Sequence, residues 1–136
     1  VTADTQLYAG DSGALIMFND AAATITLPDS GDAANLGVWY SFAVSAAAAG
    51  TKKIVVTDTT NERFAGIIKM FDTDTSNAIS FQAAAGAANV SITFNGSTTG
   101  VMGSALTIVA TAADEWTVVE SDVLHTGDVA NPFGTS

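Results

Sequence analysis

The chain has 136 residues, no cysteine, and a formal net charge of −10 from 14 acidic and 4 basic side chains. This length fits one domain, and the lack of cysteine excludes a disulfide framework and thiolate metal sites. The acidity argues against nucleic acid and anionic membranes as partners, because both are bound mainly through Lys and Arg.

The chain begins with short strands separated by turns. The first six residues are polar and predict an arm or a first edge strand: Val1, Thr2, Ala3, Asp4, Thr5 and Gln6. Residues 14–18 form a strand with apolar residues on both faces, which indicates a central strand or a face held by a partner. Further strands are predicted at 24–27, 37–44, 53–57, 64–71 and 78–82. The alanine-rich runs 46–50 and 83–88 are predicted as connectors.

Residues 90–121 carry the clearest pattern. Apolar residues alternate with Ser and Thr at 90–94, again at 106–111, and once more around Trp116 and Val118. Side chains on a strand point to opposite faces in turn, so this alternation predicts sheet with one buried face. The whole chain predicts an all-β fold with little helix: one antiparallel β-sandwich or barrel domain over 1–136, jelly-roll-like or β-tulip-like, ending in a tail at 126–136.

Two patterns resemble catalytic or metal sites. Residues 10–13 spell Gly-Asp-Ser-Gly, which surrounds the nucleophile of chymotrypsin-like proteases, but His125 is the sole histidine and follows the serine. A turn is therefore the favoured interpretation, since a serine nucleophile needs a base within reach. Asp72, Asp74 and Ser76 resemble the start of a calcium loop, yet Asn77 and Ala83 stand where that loop needs Gly and Glu. We therefore predict no catalytic residues, metal ligands or cofactor, and no enzymatic activity.

Several residues are candidates for partner binding. All four cations lie within eighteen residues, at Lys52, Lys53, Arg63 and Lys69. They are either solvated residues around a hairpin or one cationic patch aimed at an acidic partner. Trp116 is in phase with Val118 and predicts core packing, whereas Trp39 lies opposite the Val38, Tyr40 and Phe42 face and is a better ligand or interface candidate. Phe133 predicts either a hydrophobic anchor on a partner or a local contact.

The layout resembles the small decoration or cement proteins on the heads of tailed phages. The matching stretches are residues 12–16, 25–28, Gly37 with Tyr40 and Phe42, 64–66, 92–98 with Gly100 and Gly103, 116–118, and 126–127. The resemblance spans most of the chain and rests on its pattern.

This resemblance implies a homotrimer that binds the major capsid protein on the outer surface of the virion and stabilises the shell by bridging subunits. It also implies that the N-terminal arm, residues 1–6, contacts the capsid. A receptor- or carbohydrate-binding module of a phage fibre or adhesin is the alternative, and it predicts an exposed aromatic platform at Trp39 or Trp116. Partners in either case are neither nucleic acid nor membrane.

Overall fold

The computed structural model describes residues 1–19, 22–46, 50–75, 77–83 and 88–136. These residues form eleven strands and two single 3₁₀ turns, at Ala9–Asp11 and Ala33–Asn35. The strands are β1 (Thr5–Gln6), β2 (Leu15–Phe18), β3 (Ala23–Thr26), β4 (Trp39–Val44), β5 (Lys52–Val55), β6 (Arg63–Asp72), β7 (Ala78–Gln82), β8 (Ser91–Phe94), β9 (Ala105–Ala112), β10 (Glu115–His125) and β11 (Phe133–Gly134). The all-β prediction is confirmed.

Within the described residues the strands make two packed sheets. The five-stranded sheet has the order β1-β3-β5-β8-β11, and the six-stranded sheet has the order β2-β4-β9-β10-β6-β7. Strands β1 to β5 alternate between the two sheets, so neighbours within each sheet run parallel in this part of the chain. The expected sandwich is correct, but its sheets are mixed rather than purely antiparallel, since β6 also pairs with β10 in parallel.

The core fills the space between the sheets. Alternation works as predicted in β4, where Tyr40 and Phe42 are fully buried, and in β10, where Trp116 is fully buried. The Trp116 and Tyr40 rings lie 6.0 Å apart between centroids, and Phe18 stacks on Phe42 at the same separation. Each buried aromatic side chain contributes far more apolar area than an alanine does, which offsets the abundance of alanine.

A bulge in β10 interrupts the alternation. Val118 pairs with Ile108 and Glu120 pairs with Thr107, so Val119 is an extra residue between two consecutive partners on β9. A bulge of this kind moves all later residues to the opposite face. Trp116 and Val118 therefore point inward, whereas Glu120 and Asp122 point outward.

Two contacts between β10 and β6 accommodate this bulge. Gly66 has φ +97°, and a Cβ there would lie 2.6 Å from the Val118 carbonyl oxygen, so a glycine fits where another residue would clash. The buried Ser121 hydroxyl accepts from the Lys69 amide at 3.0 Å and donates to the Ile67 carbonyl at 3.2 Å. These bonds satisfy backbone groups of β6 where the ladder is disrupted.

Both ends of the described chain lie along the sandwich. Within the predicted arm, Thr5–Gln6 form β1 at the edge of the five-stranded sheet and Asp4 Oδ1 accepts from the Thr24 amide at 2.7 Å, so the edge-strand interpretation holds for this part. Val1 lies instead beside β2, where its amine donates to the Met17 carbonyl. The tail forms β11, which pairs with β8. Parts of the turn at 19–20 and of the predicted connectors at 46–50 and 83–88 lie outside the described residues, as does Ser76.

Candidate interaction surface

The outer face of the five-stranded sheet is polar. Alternation along its strands turns a threonine-rich set away from the core. These residues are Thr24, Thr26, Lys53, Val55 and Thr93. Each is partly buried by its neighbours, and this composition is ordinary for a solvated sheet face.

The outer face of the six-stranded sheet is apolar over much of its area. Six large hydrophobic side chains on β2, β4, β6 and β10 are each at least 37% exposed on this sheet. They are Leu15, Met17, Trp39, Ile67, Phe71 and Val119, and we call them the apolar face. Among the described residues, 26 other hydrophobic side chains are buried while these six are exposed, so this face is a candidate interaction site.

Strand β2 explains part of this exposure. The sequence shows apolar residues on both faces of this strand, which predicted either a central strand or a face held by a partner. The structure excludes the first, because β2 is an edge strand that pairs with β4 alone. Ile16 and Phe18 fill the core, while Leu15 is 59% exposed and Met17 is 41% exposed.

A groove of about 260 Å³ crosses the apolar face. Small side chains of β4 and β9 line it, at Ser41, Ala105 and Thr107, with Leu15 of β2 on one side. Glu120 and Asp122 of β10 line the other side. The Ser41 and Thr107 hydroxyls bond to each other at 2.8 Å, so these two groups satisfy one another. The groove thus has an apolar wall and an acidic wall, the latter set by the β10 bulge.

The predicted cationic patch is not a single surface. Lys53 lies on the outer face of the five-stranded sheet and Lys69 on that of the six-stranded sheet, on opposite sides of the molecule. Lys52 departs furthest from the expectation, because its side chain points inward, is fully buried and donates to the Gly50 carbonyl at 3.1 Å. Arg63 donates to the carbonyls of the preceding turn, at Thr59, Thr60 and Glu62.

The three aromatic candidates have separate environments. Trp116 is buried in the core, as its phase with Val118 predicts, so it is not part of an exposed aromatic platform. Trp39 is 42% exposed, and its ring passes 3.5 Å from where a Cβ on Gly13 would lie. Phe133 is 7% exposed in β11, so of its two interpretations the local contact is the one observed.

Ser12 and His125 do not form a catalytic pair. The Ser12 hydroxyl accepts from the Trp39 amide at 3.1 Å, and Trp39 lies in one row with Val109 and Thr117. His125 is eight residues further along β10 than Thr117, which at the usual rise of a strand places it roughly 25 Å away. The predicted turn at residues 10–13 is the 3₁₀ turn and the residues that follow it.

A second cavity, of about 350 Å³, lies at the His125 end of the sandwich. Asp72, His125 and Asp128 contribute polar groups to its lining. Hydrogen bonds from the Thr75 hydroxyl and the Asp74 amide hold the pKa of Asp72 below its usual range, and the nearby His125 adds to this effect. In the described part of the chain, no set of three or more His, Cys, Asp or Glu side chains is placed to hold a metal ion.

Sequence reasoning missed a buried carboxylate. Glu62 is fully buried, and its Oε1 accepts from the Ser30 amide at 2.6 Å, the Ser30 hydroxyl at 2.7 Å and Trp116 Nε1 at 3.2 Å. Its Oε2 accepts from the Asp58 amide at 2.7 Å. Four donors thus replace water around the carboxylate, which connects two loops to the core tryptophan. We call this set the Glu62 cluster. A glutamate at the end of a turn gives no sequence signal for such a role.

No protein-family model matches the chain, and comparisons with curated proteins and with solved structures find no match either. Among the described residues, no helix has the length and apolar character needed to cross a membrane. The interaction surface must therefore be interpreted from its own chemistry.

Proposed function

We propose that this protein is a structural adhesion protein that decorates the outer surface of a viral head and stabilises the shell by bridging capsid subunits. The observation that carries the proposal is the apolar face, because it offers a broad, rigid sheet surface with exposed Leu15, Met17 and Trp39. The resemblance of the sequence pattern to phage decoration proteins supplies the identity of the partner, the major capsid protein.

The architecture supports a role in adhesion. Strands hold the interacting side chains at fixed spacing, so docking requires little ordering of flexible loops and loses little entropy. A cement protein bound at several points gains from effective concentration, so each contact needs modest affinity. In this proposal the capsid contact lies on the outer face of the six-stranded sheet, and Val1 lies beside edge strand β2 of that sheet, where its amine donates to the Met17 carbonyl.

Co-sedimentation with undecorated heads of the source virus tests the proposal. The wild-type protein is expected to pellet with heads and to raise the temperature at which they release their contents. The double variant Leu15→Ser/Met17→Ser is expected to lose most of this binding. Val55→Thr, on the outer face of the five-stranded sheet, is the matched control and keeps it. A wild-type protein that stays in the supernatant contradicts the proposal.

The expected homotrimer belongs to the same proposal and has its own measurement. Light scattering after size-exclusion chromatography is expected to give three times the chain mass of 13.7 kDa. A persistent monomer contradicts the trimer, and it also removes the multivalent gain on which shell stabilisation depends.

The exposed ring of Trp39 favours a second candidate, a carbohydrate-binding module of a fibre or adhesin. Aromatic faces stack on apolar faces of sugar rings, and Trp39 presents 42% of its surface beside Gly13. A glycan array distinguishes the candidates: hits that disappear in Trp39→Ala support this module, and an array without hits removes it.

A further inference from the structure

The groove across the apolar face carries an inference about the chemistry of the partner. We propose that it binds a lysine or arginine side chain of a partner protein, with the aliphatic stem against Leu15 and the cationic head at Glu120 and Asp122. The inference rests on the proposed function in taking the partner to be a protein docked on this face.

The shape of the groove suits such a side chain. Strands β2 and β10 are separated by β4 and β9, so the walls stand about 14 Å apart at the usual spacing of strands. Between them lie the small side chains of Ser41, Ala105 and Thr107, which leave the volume of about 260 Å³ open. Lys and Arg place their stems along apolar surface and keep the charged head at a polar end.

The two carboxylates are available to a cation. In the part of the chain that the structure describes, no hydrogen bond or ion pair engages the Glu120 carboxylate. Asp122 pairs with Lys69 at 3.6 Å, but their side chains are 67% and 55% exposed. This pair is therefore screened by water and is weak, so a second cation can approach Asp122. Lys69 comes from β6, on the far side of β10 from the groove.

Charge decides between a basic partner and a second copy of this chain. Each copy carries a formal charge of −10 and four cationic side chains. Lys52 is buried, Lys53 Nζ donates to the Ser136 carbonyl at 3.0 Å, Arg63 binds three carbonyls, and Lys69 pairs with Asp122. To place a cation in the groove, a second copy would have to break one of these contacts. A different protein with a basic, partly apolar surface has no such cost.

Side-chain analogues test the groove without any partner. Amide chemical shifts of the protein are recorded during titration with n-butylammonium and n-propylguanidinium, with n-butanol as the neutral control. Saturable shifts are expected at groove residues such as Leu15, Ala105 and Thr107. Glu120→Gln/Asp122→Asn is expected to weaken this binding about tenfold, the scale of a charge-assisted contact. Asp74→Asn, an exposed acid outside the groove lining, leaves it unchanged.

Three results overturn the inference: shifts spread evenly over the acidic surface, equal binding of n-butanol, or equal binding by the Glu120→Gln/Asp122→Asn variant. A mass that rises with concentration in the wild type and not in that variant identifies a second copy as the occupant, and also overturns it.

Undecorated heads then separate this inference from the proposed function. If Glu120→Lys/Asp122→Lys pellets with heads as well as Asp74→Lys does, the inference fails and the proposed function stands. If wild-type protein ignores heads while the analogues map to the groove, the cation site stands and the capsid function fails. Loss of head binding in the groove variant alone supports both.

Discussion

The Glu62 cluster and the apolar face both reverse the usual distribution of polar and apolar groups. Glu62 is a charged residue with no exposed surface, and Leu15 is an apolar residue with 59% of its surface exposed. The difference lies in what surrounds them. Four donors of the same chain complete the environment of Glu62, whereas Leu15 has solvent where packing would be expected.

This comparison separates structural residues from candidate functional ones. A buried carboxylate with all its hydrogen bonds made needs no further molecule, so it contributes to stability. Covering an exposed apolar face with another surface lowers the free energy, so such a face favours association. Substitutions in the Glu62 cluster should therefore change stability, and substitutions on the apolar face should change binding.

The largest effect is expected at Glu62. Glu62→Ala leaves four donors without their acceptor, three of them in buried hydrogen bonds, and we expect it to reduce the free energy of unfolding by about 3–5 kcal/mol. Urea denaturation followed by tryptophan fluorescence measures this loss, because Trp116 is one of the donors. Glu120→Ala is the exposed control and should change stability by less than about 0.5 kcal/mol. A loss below about 1 kcal/mol for Glu62→Ala would contradict the assignment of the Glu62 cluster to stability.

A smaller loss is expected at Gly66, beside the bulge that sets the acidic wall of the groove. Gly66→Ala combines a positive φ with a Cβ 2.6 Å from the Val118 oxygen, so we expect a loss of about 1–3 kcal/mol. Gly37→Ala has a similar φ of +84° but open space around the added methyl group. The difference between the losses of unfolding free energy in Gly66→Ala and Gly37→Ala measures the steric clash with Val118. Equal losses in the two variants would show that the bulge tolerates a side chain at Gly66.

Tyr40 gives a pH-dependent test of the core. Burial raises the pKa of Tyr40 to about 12 from 10.0, and Asp11 adds to this shift. The folded state thus holds the phenol proton more tightly than the unfolded state, so this contribution to stability is complete below pH 10 and is lost as the pH rises towards 12.

Denaturation midpoints between pH 9 and 12 measure this loss. Tyr40→Phe should cost about 1 kcal/mol at pH 7, because its hydroxyl donates to the Tyr8 carbonyl at 2.6 Å. Above pH 10 the variant should lose stability less steeply than the wild type. Parallel curves for the two proteins would contradict the assignment to Tyr40.

The smallest effect on stability is expected on the apolar face. Leu15→Ser/Met17→Ser should change the free energy of unfolding by about 0.5 kcal/mol or less, because both side chains are already exposed. The same variant is expected to lose most head binding, which makes it the reverse of Glu62→Ala. A large loss of stability would show that this face is covered within the folded chain.

The sequence predicted most strands because alternation reports which side chains face a core. It predicted the burial of Trp116 and the inward face of β4 for this reason. It could not identify strand partners, since alternation looks alike in parallel and antiparallel pairs. Parallel pairing and the edge position of β2 were therefore missed.

The candidate site was predicted less well for related reasons. Lys53 and Lys69 are close in the sequence, but β5 and β6 belong to different sheets, so proximity along the chain did not produce a common patch. Glu120 and Asp122 were missed because the bulge at Val119 changes the phase of β10, and a strict period of two would have placed both inside. Trp39, an interface candidate from the sequence, lies on the outer face of the six-stranded sheet and is 42% exposed.

The extra residue in β10 has a consequence for how this surface can vary. Point substitutions alter the acidic wall one side chain at a time, whereas a change in pairing moves every later side chain of β10 together. Deletion of Val119 would remove the bulge and leave Glu120 and Asp122 on the outer face, but regular pairing of β10 with Val119 retained would turn both carboxylates inward in exchange for Ser121 and Val123. Homologous chains that keep the acidic wall should therefore keep the bulge and its extra residue together or lose both together.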